Sequence, residues 1–199
     1  MRPLLVLPFL AAACSAGGSA GGSAGGSAGG SAGSPATSLA PAHASAMRDS
    51  VQRFLDAYAA DVSAPPVGKK ARDAMAPFFS PDIVMSADLA PDEPVLVQTI
   101  DSLIPPDEVV TVPGWIKSTR LSWGTTIITP LAPGVATFTA KYTEAVTDTS
   151  GTVTELPGVQ HGVVRNGASG WRFATIQSSH PMLMHQRQAA LVARVTGAK

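Results

Sequence analysis

The stretch Gly162–His180, with the sequence GVVRNGASGWRFATIQSSH, decides the fold. Two runs rich in Val, Ile, Phe and Trp flank residues 166–170, which read Asn-Gly-Ala-Ser-Gly. Asn, Ser and Gly favour tight turns, whereas β-branched and aromatic residues favour strands. The stretch therefore predicts a hairpin in which a strand ending at Arg165 turns back into a strand from Trp171 to Ser179.

The same alternation of strand and turn signals continues toward the N-terminus. Pro130–Gly134 and Asp148–Gly151 are turn-forming segments between longer runs of β-favouring residues. The predicted long strands are Ile116 to Thr129, Val135 to Thr147, Thr152 to Arg165 and Trp171 to Ser179, and the predicted short strands are Ile83 to Met85 and Val95 to Thr99. Long strands joined by tight turns predict an antiparallel meander.

Helical patterns precede and follow this sheet. Apolar residues recur at steps of three and four from a cap at Ser45 to Val62, which predicts one amphipathic helix. A shorter helix is predicted over Lys69 to Phe79, and a closing helix is predicted from Pro181 to near Thr196. Helices before a long antiparallel sheet indicate an α+β fold with helices packed on one sheet face.

A helix, a short helix, the segment FFSPDIVMS and long strands ending in GVVRNGASGWRFATIQSSH together resemble the nuclear transport factor 2-like superfamily. The nearest branch by this resemblance is its SnoaL-like, ketosteroid-isomerase-like group, in which many members have no assigned function. The resemblance covers about residues 45 to 181 and rests on the order of elements, not on one specific motif. It implies a curved antiparallel sheet wrapped against helices, forming a cone with an apolar pocket.

The resemblance also implies positions for functional residues. The tyrosine of the isomerase members' first helix falls on Phe54, and Tyr58 lies one turn further on. Their catalytic carboxylate falls on Ala87, beside Asp88. His161 falls where they carry a second carboxyl. Because this set is incomplete, isomerase chemistry that uses these three groups is not expected.

Two histidines remain as candidates in this view. His161 is interpreted either as a general base or ligand contact in the pocket, with Tyr58 assisting, or as a structural histidine satisfied by a neighbouring hydroxyl. His180, at the end of the last strand, is interpreted either as a helix cap or as a residue at the pocket rim. Glu144, at the end of its strand, is expected to be solvated. The predicted ligand-binding residues are Phe54, Tyr58, Asp88, His161 and His180.

The N-terminal part is predicted to direct export and membrane attachment and not to belong to the folded domain. Arg2 and an apolar run precede Ala11-Ala12-Ala13-Cys14, which resembles a lipoprotein signal with Leu10 one position earlier than usual. We therefore expect a signal peptide over residues 1–13, acylation of Cys14, and a disordered Ser/Ala/Gly tether over 14–44. One domain over 45–199 would then face the periplasm from a bacterial membrane, and Ser15 favours the outer one.

Charge and cysteine content exclude several functions. Beyond Arg2 the chain carries 13 basic and 14 acidic residues without a basic cluster, so no nucleic-acid partner is expected. Cys14 is the only cysteine and the histidines lack metal-site spacing, so neither a metal nor another cofactor is predicted. Three hypotheses remain open: a tethered domain that binds a small apolar ligand, a SnoaL-like enzyme of isomerase, cyclase or hydratase type, and a dimerising interaction module.

Overall fold

The computed structural model describes residues 39–87, 96–100, 104, 106–179 and 182–197. Its elements, in chain order, are α1 (Pro41–Ser63), α2 (Ala71–Met75), β1 (Phe79–Ala87), β2 (Leu96–Thr99), β3 (Ile116–Ala132), β4 (Val135–Asp148), β5 (Val153–Gly167), β6 (Gly170–Ser179) and α3 (Met182–Thr196). Helices lie against a curved six-stranded sheet. The predicted α+β class is confirmed.

Helix α1 buries the predicted apolar stripe. Its inward residues are Met47, Val51, Leu55, Tyr58, Ala59 and Val62. The helix begins at Pro41, four residues before the predicted cap at Ser45, because proline already has a helical φ angle and needs no amide partner in the first turn. At its other end, the Ser63 hydroxyl donates to the Ala59 carbonyl and accepts the Leu121 amide, which joins α1 to β3.

The four long strands form the predicted antiparallel meander, and the sheet order is β2-β1-β6-β5-β4-β3. The sheet departs from the fully antiparallel arrangement in one pair, because β1 runs parallel to β6. A hairpin turn imposes an antiparallel direction only on strands that it joins. Strand β1 enters from α2 instead, and β6 offers it the edge that β5 leaves free.

Helix α2 is shorter than the predicted Lys69 to Phe79. It ends at Met75, and Phe79 already begins β1. Pro77 has no amide hydrogen, so the helical hydrogen-bond pattern cannot continue through it. The chain turns instead, with the Phe78 amide bonded to the Met75 carbonyl, and the Phe78 carbonyl then accepts the Phe173 amide of β6.

Two hydrophobic clusters occupy the inner face of the sheet. The larger one lies beneath α1, and we call its ring-bearing part the aromatic cluster: Phe54, Tyr58, Phe78, Phe79, Trp123, Phe138, Tyr142 and Phe173. The smaller one lies beneath α3, and we call it the aliphatic cluster: Ile116, Val146, Leu156 and Leu191. The boundary between them is the position of the candidate site.

Candidate functional site

Strand β4 carries a carboxyl group into the protein interior. Along β4, Phe138, Ala140, Tyr142, Glu144 and Val146 alternate with exposed or half-buried residues and all face inward. Alternation places every second side chain on one face of a strand. The side chain of Glu144 is only 1% exposed, so the expectation that it is solvated was wrong.

Glu144 lies where the two clusters meet. Its direct cross-strand neighbours are Leu121 on β3, which belongs to the larger cluster, and Leu156 on β5, which belongs to the aliphatic cluster. Within the described part of the chain, neither of its carboxyl oxygens has a hydrogen-bond partner. A buried polar group without a partner is uncommon in folded proteins, and each case calls for an explanation.

Burial changes the acidity of this carboxyl. Removal from water disfavours the charged form and raises the pKa of Glu144 from 4.5 to about 7. The same burial raises the pKa of the Tyr58 hydroxyl, and the nearby Glu144 and Asp61 charges raise it further. Glu144 and Tyr58 are therefore close enough to interact electrostatically across the interior.

A second polar group lies on the same inner face. Gln160 on β5 is 1% exposed, and its Nε2 donates to the Ser178 hydroxyl of β6 at 3.4 Å. Its Oε1 has no hydrogen-bond partner among the described residues. The interior therefore presents three acceptor atoms without a donor, two from Glu144 and one from Gln160.

The ring of Tyr142 lies on the inner face between Glu144 and Gln160, and glycine at position 158 leaves room for it. Gly158 is paired with Tyr142 across the strands, and a Cβ atom at Gly158 would lie 2.4 Å from both Cζ and the hydroxyl oxygen of Tyr142. Such a distance is far below van der Waals contact. The Tyr142 ring and its hydroxyl therefore lie directly over the β5 backbone at Gly158.

The α1 side of the site is filled by rings. Tyr58 makes edge contacts with Phe78, Phe79 and Phe173 at centroid distances of 5.5, 5.8 and 5.1 Å. Trp123 stacks on Tyr58 at 6.4 Å, and its indole nitrogen donates to the Leu55 carbonyl at 2.8 Å. These contacts hold the Trp123 side chain in place, so that it forms the wall of the aromatic cluster on the β3 side.

A groove of about 500 Å³ opens on the far side of that wall, between α1 and β3. The residues that line it are Gln52, Asp56, Ala59, Ala60, Ser63, Leu121, Ser122, Trp123, Gly124 and Thr126. Leu121 and Trp123 form its floor, and they are the cross-strand neighbours of Glu144 and Tyr142. One layer of side chains therefore separates the groove from the buried carboxyl.

The α3 side is held by polar contacts at its rim. Arg194 pairs with Asp148 at 2.9 Å, and Arg187 donates to the Glu155 carbonyl at 2.9 Å. A hydrogen bond from the Ser150 hydroxyl, the Thr152 amide and the Arg194 charge hold the pKa of Asp148 below its usual range. Helix α3 is thus attached to β4 and β5 beside the aliphatic cluster.

Of the predicted site residues that the structure describes, Phe54 and Tyr58 lie together and His161 lies apart from them. Tyr58 is buried and Phe54 half-buried in the aromatic cluster, where Phe54 contacts Phe173 at 4.8 Å. His161 is exposed on the opposite sheet face, where its Nδ1 lies 2.8 Å from the Thr139 hydroxyl. This contact agrees with the interpretation of His161 as a histidine satisfied by a neighbouring hydroxyl, whereas the interpretation that placed it in the pocket beside Tyr58 was wrong. Asp88, His180 and Cys14 lie outside the described residues.

The facing of β5 explains this error. Its inner series is even-numbered and includes Gly158 and Gly162, which have no side chains to reveal an apolar pattern. The odd-numbered series contains Val159 and Val163, so it resembled the buried face. The signal for Glu144 was available in β4, where it follows Phe138, Ala140 and Tyr142 at steps of two.

Two further findings concern only the described residues. No group of three or more His, Cys, Asp or Glu side chains in this part of the chain is arranged to hold a metal ion. No helix among the same residues combines the length and apolar character needed to span a bilayer.

Comparison with known proteins identifies the fold. No protein-family profile and no curated protein sequence matches the chain. Among solved structures, a candidate scytalone dehydratase from Novosphingobium aromaticivorans is 13% identical with a TM-score of 0.52, covering 69% of this chain and 85% of its own. The Kfla4162 protein from Kribbella flavida is 12% identical with a TM-score of 0.52, covering 68% and 91%.

A nuclear transport factor 2-like superfamily protein from Salmonella enterica is also similar, at 11% identity and a TM-score of 0.49, covering 69% of this chain and 92% of its own. Identities this low show the fold and not the activity. The described domain has the nuclear transport factor 2-like fold, which confirms the fold that the sequence resemblance implied.

Proposed function

We propose that this chain is an exported bacterial lipoprotein whose nuclear transport factor 2-like domain binds a small molecule at the Glu144 site. The observation that carries the proposal is the unpartnered carboxyl of Glu144, which is 1% exposed between two hydrophobic clusters. Leaving such a group unmatched costs about 1–3 kcal/mol, and a ligand that donates a hydrogen bond would offset that cost.

The surroundings of Glu144 suit a binding site. Ligand sites are mostly apolar with a few placed polar groups that fix orientation. Here the rings of Tyr58 and Tyr142 supply the apolar surface, while Glu144 and Gln160 supply acceptors. The groove on the other side of Trp123 and Leu121 gives this region a route to solvent once either side chain moves.

The N-terminal sequence supports the tethered location. Cys14 follows an apolar leader, and α1 begins at Pro41, after a chain of Ser, Ala and Gly. A flexible linker of this length spans about 30 Å on average, enough to hold the domain away from a membrane surface. Acylation of Cys14 and the outer membrane as its location are parts of this proposal.

A second candidate is acid–base catalysis at the same carboxyl. The observation that favours it is the pKa of Glu144, which burial raises to about 7. A general acid or base works best when its pKa lies near the working pH. Glu144 would then take the role that the sequence had suggested for His161, with Tyr58 nearby.

A third candidate is assembly through the outer sheet face. Ile127 is 63% exposed there, and Val159 is 38% exposed next to His161. Apolar side chains on a solvent-facing sheet favour association with a second copy. Light scattering during gel filtration, with Ile127→Lys as the disrupting variant, tests this homodimer; a monomeric wild type would refute it.

The main experiment is mass spectrometry on the full chain purified from its bacterial membrane. We expect Cys14 to carry acyl chains, and we expect native spectra to show a retained small molecule that is lost in Glu144→Gln. Glu155→Gln, an exposed change on the neighbouring strand, is the control that should keep the molecule. An unmodified Cys14 would refute the anchor, and equal retention by both variants would refute the site.

A further inference from the structure

We propose that the ligand of the Glu144 site is a small organic amine whose ammonium group pairs with the Glu144 carboxylate. This inference rests on the proposed binding function and adds the chemical class of the ligand. Three independent observations support it: the sign of the buried charge, the rings beside it and the lining of the groove.

The first observation is a missing positive charge. The buried polar and charged residues of the described chain are Thr119, Glu144, Asp148, Gln160, Ser178 and Gln188, with no lysine or arginine among them. Asp148 has its own partner in Arg194, whereas Glu144 has none in the same described part. Ionised carboxylates inside proteins are paired, and the described residues supply no countercharge to an ionised Glu144.

The unpartnered atoms also specify donors. Both Glu144 oxygens are acceptors when the carboxyl is ionised. An ammonium group has three N–H donors and no acceptor, so it matches such a site, whereas a carboxylate or phosphate would be repelled by it. A neutral alcohol would satisfy one acceptor and leave the charge uncompensated.

The second observation is the aromatic surface beside the carboxyl. Tyr142 precedes Glu144 by one inward position, and its ring makes an edge contact with Trp123 at 6.4 Å. Trp123 in turn stacks on Tyr58. Cations are attracted to the faces of such rings, and the attraction is stronger away from water. A carboxylate beside aromatic rings is therefore suited to an ammonium head with an apolar body.

The third observation is the groove between α1 and β3. Its lining contains one charged side chain, Asp56, and no lysine or arginine. Ser63, the last residue of α1 and therefore near the negative end of its dipole, is one of the lining residues. Its floor, Leu121 and Trp123, separates it from Glu144 and Tyr142. Asp56 therefore attracts a cation to the groove, and Glu144 lies behind the lining residues Leu121 and Trp123.

A matched set of three probes tests this inference on the detergent-solubilised full chain: benzylamine, benzyl alcohol and benzoate. They share one ring and differ in charge. We expect benzylamine to bind at least about tenfold more tightly than benzyl alcohol, and benzoate not to bind, as measured by calorimetry and tryptophan fluorescence. We expect Glu144→Gln to reduce benzylamine affinity to that of benzyl alcohol.

Two further variants and a pH series on the wild type test the inference even if Glu144→Gln does not fold. Asp56→Asn should weaken benzylamine binding by about twofold to threefold, since a partly exposed charge contributes little. Asp82→Asn, at an exposed carboxylate that pairs with Arg165 outside the groove, should leave the affinity unchanged. In the wild type, benzylamine affinity should rise from pH 5 to pH 8, as Glu144 becomes ionised.

The outcomes separate the inference from the proposed function. Equal binding of benzyl alcohol or benzoate, lost in Glu144→Gln, would overturn the amine inference and leave the binding function intact. Benzylamine binding that is unchanged in Glu144→Gln and independent of pH would also overturn the inference. Failure of all three probes to bind would overturn the inference, whereas the binding function is tested separately by the retained molecule in native mass spectrometry.

Discussion

The two halves of the inner sheet face differ in whether their buried polar atoms have hydrogen-bond partners. Beneath α1, rings contact rings, and the one polar atom of Trp123 that points inward has a partner in the Leu55 carbonyl. Toward α3, four aliphatic residues form a smaller cluster, and Glu144 brings two unpartnered oxygens to its border. One half is filled and satisfied, while the other retains polar atoms that the described chain does not match.

This difference indicates that one half of the domain contributes stability and the other contributes a site for binding or chemistry. A satisfied aromatic interior contributes most of the free energy of folding, because aromatic side chains bury the largest apolar areas. A border with an unpartnered carboxyl reduces that free energy, so its presence is explained by binding or chemistry and not by folding. Perturbing each half should therefore change stability in opposite directions.

The largest effect is expected in the aromatic half. Phe173 is fully buried and contacts Phe54, Tyr58, Phe79 and Phe138. Phe173→Ala should lower the free energy of unfolding by about 3–5 kcal/mol, because it removes a ring and leaves a cavity. Urea denaturation measures this, with the exposed Ile127→Ala as control. A decrease in the free energy of unfolding no larger than that of Ile127→Ala would contradict the conclusion that this half provides most of the stability.

The opposite sign is expected at the border. Glu144→Met replaces the unpartnered carboxyl with an apolar side chain of similar length and should raise the free energy of unfolding by about 1–3 kcal/mol at pH 8. The matched change Glu155→Met, at an exposed position of β5, should not stabilise the domain. Destabilisation by Glu144→Met would mean that the carboxyl has a partner that supports the fold.

The dependence of stability on pH should also distinguish the two sides. The folded pKa of Glu144 is raised from 4.5 to about 7, so between these values the folded state holds a proton that the unfolded state has lost. The stabilising contribution of protonated Glu144 is complete below pH 4.5 and disappears as pH rises to about 7. Wild type should lose stability across this window relative to Glu144→Gln; parallel curves would contradict the raised pKa.

The smallest effect concerns the attachment of α3. Arg194→Gln removes the ion pair with Asp148 and should cost at most about 1 kcal/mol, since the Arg194 side chain is 42% exposed. Hydrogen exchange should increase in α3 and not in α1. Arg165→Gln, which removes the longer exposed pair with Asp82, is the control. Equal protection of α3 in both variants would show that the aliphatic contacts alone hold it.

Much of the fold could be predicted from the sequence because its signals are local. The turns at Gly134, Gly151 and Gly170 require positive φ angles, and glycine marks each of them. The stripe of α1 follows the helical period. The parallel pairing of β1 with β6 could not be predicted in this way, because it joins segments that no turn connects.

The site was harder to predict for a related reason. Glycines at 158 and 162 hide the inner face of β5, so the pattern did not show that the interpretation of His161 as a pocket residue put it on the wrong side of the sheet. Glu144 was judged by its charge, which usually indicates exposure, although its neighbours on β4 share a buried face. Which atoms remain unpartnered depends on contacts between strands and helices distant in sequence, and a local pattern does not contain them.

The three tryptophans lie at three different places in this interior. Trp115 packs against the aliphatic cluster, Trp123 lies beside Tyr58, and Trp171 donates to the Ser50 hydroxyl in α1. Each part of the domain thus carries its own natural fluorophore. Variants that keep a single tryptophan would report, by emission wavelength and quenching, whether the α3 side opens before the α1 side and which side a bound molecule reaches.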